Sequence, residues 1–391
     1  MIRLLPLSGD VTPAIRQLGW NWAVEEACAA YLAPEAVALP AAEAEALLQA
    51  ADTLYQLLVE SIPDPIPDEL LQLLAIPTGL WAAVRHSWND DRHWHLYGRF
   101  DLAATADGIK LLEFNADTAT SLPETAVVQW ASLVAAGYTE EERQANGLFE
   151  GLQSQLGEWR TRNPDLDPSL LLVHLPGSGE DEANCAIMAE AARAAGFASV
   201  HVSPVDAMQV VTQGTDQGVW AQTGPEQWQR FGFLFKLVPW EILAAEEPEL
   251  THDLTELLLR RDVIIANPAY VLLFQSKSIL AWLWQAFPQH PLLLEAALQP
   301  LRGHQVSKPV LGREGQNVTE LRPGGQAGTT MAGEFAGQPQ LYQAWAELPT
   351  DQQGRRYQAG VFWAGEACAL SFRRDAGFIT NLSEFVPHLL V

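Results

Sequence analysis

The segment "SLLLVHLPGSGEDEANCAIMAEAARAAGFASVHVSP", residues 169–204, narrows the folds open to this chain more than any other. An apolar run of strand length meets a Gly-Ser-Gly turn, a helical stretch closed by Gly196, and then a second strand. This is a β-α-β unit of Rossmann-like type. "FGFLFKLVPWE" and "DVIIANP" predict two more strands, the second followed by an apolar helix "SILAWLWQAF". The fold class is therefore α/β. At 391 residues the chain exceeds one comfortable hydrophobic core, so two packed lobes or domains are expected.

The flanks are organised differently. Residues 40–60 place Leu47, Leu48, Leu54, Leu57 and Leu58 on one helical side, and "PDEL" and "PTGLWAAVRHSW" predict two shorter helices. Ser121 reads as a cap before the helix "PETAVVQWASLVAAG", and a further helix is expected from near Thr139. The C-terminal part reads as β-rich: "HQVSKPVL", "PQLYQAWAEL", "YQAGVFWAG", "ACALSFRR" and "GFITN". Between them, "RPGGQAGTTMAGEFAGQ" predicts a mobile glycine-rich loop.

A formal net charge of −25 argues against a nucleic-acid partner, whose phosphates require Lys and Arg. Cys28, Cys185 and Cys368 are few, odd in number and far apart, as expected of reduced thiols. "MIRLLPLSGDV" has too short an apolar run for a signal peptide and no stretch reaches membrane-spanning length, so a cytoplasmic protein without a membrane partner is expected. Only four of the 23 basic residues are lysines: Lys110, Lys236, Lys277 and Lys308. Such scarcity suggests sites where a compact ammonium is wanted, as on a phosphate.

The richest polar pattern lies in "RFDLAATADGIKLLEFNAD", residues 99–117. Ala106-Asp107-Gly108 as a three-residue turn pairs Asp101 with Glu113 and Arg99 with Asn115. Phe100, Leu102, Leu112 and Phe114 then share one face, and Arg99, Asp101, Glu113 and Asn115 the other. Two carboxylates and an amide oxygen suit a hard cation such as Mg²⁺. A solvent-facing hairpin in which Arg99 balances Asp101 fits the same residues.

Other signatures are missing. There is no G-x-x-x-x-G-K-[ST], and "PGSGEDEA" lacks the third glycine of a dinucleotide fingerprint. Glu180, Asp181 and Glu182 sit where a pyrophosphate would bind, so this acidic helix start either complements a helix dipole or receives a cationic amine. His86, His93 and His95 show no metal-ligand spacing and read as structural or surface residues. "VSKPVLGREGQNV" sets Lys308 before a turn able to cover phosphates, and "SFRRD" points only one of Arg373 and Arg374 into any site.

"YGRFDL…IKLLEFNADTATSLPE", "SKPVLGREGQNV", "YQAWAELP" and "FITNLSEFVPHLLV" together resemble the glutathionylspermidine synthase family, in its stand-alone synthetase-like form without an amidase domain. The resemblance implies a pre-ATP-grasp domain and an ATP-grasp fold of circularly permuted type. It implies residues 1–95 as a mainly helical segment, 96–120 as the magnesium-site hairpin, 121–265 as the Rossmann-like pre-ATP-grasp region and 266–391 as the nucleotide-binding region. It further implies a Mg-ATP-dependent ligase joining a small-molecule carboxylate to an amine through an acyl phosphate. On that reading Asp101, Glu113 and Asn115 hold Mg²⁺, and Arg99 stabilises the transferred phosphoryl group. Lys277, Lys308, Gly315, Gln343, Phe378 and Ile379 line the ATP site, and Arg373 faces the acyl phosphate. Thr120, Ser121, Asp181 and Glu182 fall where substrate is expected. The chain departs from the polyamine-using members, which carry Ser-Ala-Ser-Cys where it has Thr118-Ala119-Thr120-Ser121, so the resemblance leaves open whether glutathione or spermidine is used. A small-molecule phosphotransferase and a non-catalytic ATP-binding module are the alternatives. Neither a role for Lys236 nor an oligomeric state follows from the sequence.

Overall fold

Four parallel strands form the sheet that the middle of the chain predicts, in the spatial order Ile264–Ala266, Phe233–Lys236, Ser169–His174 and Ser199–Pro204. The structure, a computed structural model, describes residues 2–20, 23, 31–139 and 143–391; Cys28 lies outside them. Helix Gly179–Ala194 starts where Ser178 Oγ accepts from the Asp181 N–H. Its apolar face, with Cys185, Met188 and Ala192 fully buried, covers the sheet. Three antiparallel strands, Met208–Val211, Gly218–Gly224 and Gln227–Phe231, and the helices Trp240–Glu246 and Pro248–Arg260 complete this region.

Two five-stranded sheets build the rest. One runs Glu384–Val386, Ala367–Asp375, Arg356–Trp363, Gly98–Thr105, Gly108–Asn115, so the early hairpin is completed by C-terminal strands. The other runs Ala296–Ala297, Gln340–Ala344, Gln305–Pro309, Thr319–Arg322, Gln326–Thr330. Phe100 and Phe114 stack at 3.9 Å on the inner face of the hairpin, where each buried ring stabilises by roughly 1.5–3 kcal/mol. The 21-residue helix Ala41–Ser61 buries Leu47, Leu54, Leu57 and Leu58 in the same core. Near the ends of the chain, Glu35–Leu39 pairs antiparallel with Leu4–Pro6 and parallel with His388–Leu390.

Four local expectations are corrected. The glycine-rich segment is not simply a loop: Thr319–Arg322 and Gln326–Thr330 form a hairpin, with Gly324 and Gly325 at φ +86° and +79° in its turn. "GFITN" is not a strand, because Asp375 Oδ1 accepts from the Gly377 N–H and Ser383 Oγ from the Thr380 N–H, which fold it into turns. The helix expected from near Thr139 begins at Leu148, since Asn146 bridges to Ala369 and the Gly147 N–H donates to Cys368 O instead; residues 140–142 lie outside the described part. Ser121 does not cap through its hydroxyl, which accepts from Arg373 Nη2 at 2.8 Å. Among the described residues no helix is long and apolar enough to cross a membrane.

Candidate active site

The hairpin has the pairs its polarity predicts, by a different route. Thr105 pairs with Gly108, so the turn is the two residues Ala106 and Asp107 rather than three. A bulge at Leu112 then shifts the register: Leu102 faces Leu111, while Asp101 faces Glu113 and Arg99 faces Asn115. Leu111 takes the core position expected of Leu112, and Leu112 lines the cleft. Arg99 Nε and Nη2 donate to the two oxygens of Asp101 at 2.8 and 3.2 Å, and Nη1 donates to Thr120 O at 2.9 Å. Asn115 Nδ2 donates to Asp101 Oδ2 at 3.2 Å, which turns the amide oxygen away from that carboxylate.

The second five-stranded sheet forms the opposite wall. Lys308 Nζ donates to Leu112 O at 3.1 Å and to Gln343 Oε1 at 2.9 Å, and Gln343 Nε2 donates to Leu111 O at 3.0 Å, tying the two sheets together. Lys277 Nζ donates to Gly312 O at 2.8 Å and stands 3.1 Å from Glu113 Oε2. Gly315, at φ +72°, packs so closely that a Cβ would stand 3.0 Å from Ile379 O. Phe378 and Ile379 close this end, giving a cleft of about 260 Å³. Arg99, Asp101, Glu113, Asn115, Thr120, Lys277, Lys308, Gly315, Gln343, Arg373, Phe378 and Ile379 all line it.

Three of the expected residues stand apart from that lining. Ser121 is buried behind Arg373 as its hydrogen-bond partner, and Asp181 and Glu182 lie in the first turn of helix Gly179–Ala194. Arg373 also donates to Tyr31 Oη at 2.8 Å and approaches the fully buried Glu124 at 3.7 Å, while Arg374 pairs with Glu35 and Glu384 on the other face. Tyr31 Oη donates to Glu124 in turn. The sequence reading passed over Arg313, Trp345 and Arg356, which line the cleft, and Glu124. Arg313 sits inside the "GREG" turn and could have been taken with it; it pairs with Glu241 and donates to Thr118 Oγ1 at 3.2 Å. Arg356 stacks over the Trp345 ring at 5.6 Å, a partnership between separate elements that no local motif announces.

The electrostatics follow from burial in a cationic setting. Burial pushes the Glu113 carboxyl up, but Lys277 and Lys308 override it and hold the group well below the usual carboxylate range. Burial also lowers Lys308, to about 8, despite the opposing pull of Glu113. At Arg99 burial disfavours the charge, and Asp101 outweighs it and keeps the guanidinium ionised. Near the rim, burial and then Glu124 raise Glu180 to about 7. The cleft thus holds fixed cations around a carboxylate pair, an arrangement suited to multiply charged anions accompanied by a dication.

A family model described as glutathionylspermidine synthase preATP-grasp matches residues 4–391. A Haemophilus influenzae protein described as a "putative acid–amine ligase" is 31% identical over 323 residues, covering 79% of this chain and 77% of that protein. The bifunctional glutathionylspermidine synthetase/amidase of Escherichia coli is 26% identical over 349 residues, 82% of this chain but only 53% of the relative. Trypanothione synthetase of Crithidia fasciculata is 26% identical, with 81% of this chain and 50% of that protein covered. This chain thus matches about half the length of each of these two larger relatives. The structure of a glutathione synthetase-like effector from Globodera pallida superposes with a TM-score of 0.53 at 11% identity, covering 98% of both chains.

Proposed function

Because the chain belongs to the glutathionylspermidine synthase preATP-grasp family, we propose that it is an ATP-dependent carboxylate–amine ligase working through an acyl phosphate. The observation that carries this reading is the convergence of Asp101, Glu113 and Asn115 with Arg99, Lys277, Lys308 and Arg373 in one cleft. Asp101 and Glu113 offer carboxylate oxygens, and Asn115 an amide oxygen once its side chain turns over from the Nδ2 bond to Asp101, a hard donor set that fits Mg²⁺. Bound there, Mg²⁺ would neutralise phosphate oxygens of ATP. Lys277 and Lys308 orient the phosphates and take up charge on the γ-phosphoryl group. The substrate carboxylate attacks that phosphorus, ADP leaves, and the amine displaces phosphate from the acyl carbon while losing a proton. Arg373 faces the acyl phosphate, and the Gly312–Gln316 turn excludes water that would hydrolyse it. A peptide or amino-acid carboxylate and an amine are the proposed substrates.

The direct test is ADP release with Mg²⁺ over panels of amino acids, short peptides and polyamines, with product masses recorded. ADP formation that depends on both an acid and an amine, with an amide product, is the expected result. A stable phosphorylated product without amide would favour a phosphotransferase, and no ADP from any pair would sink the ligase reading.

Lys308 gives a pH prediction. In the free enzyme its ammonium is lost as pH rises through about 8, and the charge facing the phosphates goes with it. On this assignment kcat/KM for ATP falls above about pH 8. At saturating ATP the phosphates stabilise the ammonium, so the fall in kcat begins at higher pH. Identical alkaline limbs for the two parameters would show that Lys308 does not meet the nucleotide.

A further inference from the structure

Outside the cleft, the described residues hold a second cluster of ligating side chains, His86, Asp90 and His93, whose ligand atoms all lie within 4.8 Å of one another. His86 and Asp90 are one helical turn apart at the C-terminal end of helix Trp81–Asn89, with His86 Nε2 3.5 Å from Asp90 Oδ2. Asp90 leaves the helix in an extended conformation, and the His93 N–H donates to Asp90 O at 3.0 Å. That turn brings the two imidazoles together, ring centroids 5.5 Å apart at 73°.

The cluster is unsatisfied where it is most buried. His93 is 3% exposed, and neither of its ring nitrogens has a hydrogen-bond partner; His86 Nε2 makes no hydrogen bond beyond its 3.5 Å approach to Asp90. Each such buried group costs about 1–3 kcal/mol when left unpaired, so a buried ring with neither nitrogen paired requires a reason. The surroundings orient Asp90: the Arg92 N–H donates to Oδ1 at 3.2 Å and Arg261 Nε to Oδ2 at 2.9 Å. The Arg92 side chain is drawn off to Asp165 and Asn163, and Arg261 is half exposed and free to yield its place.

We propose that His86, Asp90 and His93 bind one transition-metal dication of the zinc class, supplying two imidazole nitrogens and a carboxylate oxygen and leaving a fourth position to water. Nitrogen donors set this site apart from the oxygen-only cleft and disfavour Mg²⁺. A cation here would fasten the end of helix Trp81–Asn89 to the connection that leads into the hairpin strand Gly98–Thr105.

The test is Zn²⁺ titration by calorimetry on EDTA-treated protein, in excess Mg²⁺ to occupy the acidic cleft, with Co²⁺ absorption as a second readout. One equivalent is expected to bind wild type, raise its thermal midpoint and give the intense visible bands of four-coordinate Co²⁺. His93→Gln and His86→Ala should weaken binding by more than the roughly 10–100-fold typical of losing an outer partner. His86 is partly exposed, so His86→Ala remains informative if His93→Gln fails to fold. No saturable Zn²⁺ uptake in wild type, or undiminished uptake in both folded variants, would overturn the proposal.

Discussion

The Glu113→Gln variant is expected to lose roughly 10²–10³-fold in kcat, the scale of removing one preorganised electrostatic contact from a reacting site. The amide preserves the shape of a side chain that is only about a quarter exposed, so the fold should be retained. What changes is charge. Lys277 and Lys308 both act on this carboxylate, and its loss leaves two neighbouring ammonium groups without their anion and, on the proposed assignment, takes a ligand from the dication. The lysines remain anchored by Gly312 O, Leu112 O and Gln343 Oε1, so ATP should still bind and KM for ATP should change much less than kcat. ADP release under saturating ATP, with far-UV circular dichroism to confirm folding, makes the comparison. A variant with near-wild-type kcat would remove Glu113 from the metal site and weaken the roles given to Asp101 and Asn115.

The hairpin's pairing was legible because its geometry is local. Alternation across an Asp-Gly hairpin puts Asp101 and Glu113 side by side, and the pairing survived two errors that cancelled, a turn one residue too long and an unforeseen bulge at Leu112. Lys308 was marked by the turn that follows it, but Lys277 and Gln343 could be placed only through family likeness, and nothing in the segments of all three brings them to the hairpin. The misses have physical causes too. "GFITN" looked like a strand by composition, but the side chains of Asp375 and Ser383 take its backbone donors. The glycine-rich run looked like a loop, yet its two glycines at positive φ are what a tight hairpin turn requires. Hidden most completely were contacts between distant elements. Lys236 had no role in the sequence because its partner is 119 residues away.

That partner gives the largest expected effect on stability. Lys236 Nζ donates to both oxygens of Asp117 at 2.8 and 3.0 Å, with both side chains almost wholly buried, and the Trp240 N–H donates to Asp117 Oδ2 at 2.9 Å. The Trp240 ring lies 4.5 Å from the ammonium. Asp117 ends the Asn115-Ala116-Asp117 run, so this pair fastens the hairpin Gly98–Asn115 to the parallel sheet and to helix Trp240–Glu246. Lys236→Met strands a buried carboxylate, and breaking such a pair from one side costs about 3–5 kcal/mol. The double variant Asp117→Asn/Lys236→Met removes both charges of the pair and should be distinctly more stable than Lys236→Met alone. The sign with pH follows from Asp117. Burial already raises its pKa above the usual carboxylate range in the folded protein, and loss of Lys236 raises it further. A carboxyl raised on folding carries no penalty below its unfolded pKa and a growing one as pH climbs toward the folded value. The deficit of Lys236→Met against wild type should therefore be greatest at neutral pH and shrink as pH falls toward 4. Urea denaturation across that range, followed by tryptophan fluorescence and by circular dichroism, reads it directly. A deficit that is flat with pH, or a double variant no better than the single, would mean that lost packing around the lysine stem, rather than the stranded charge, sets the cost.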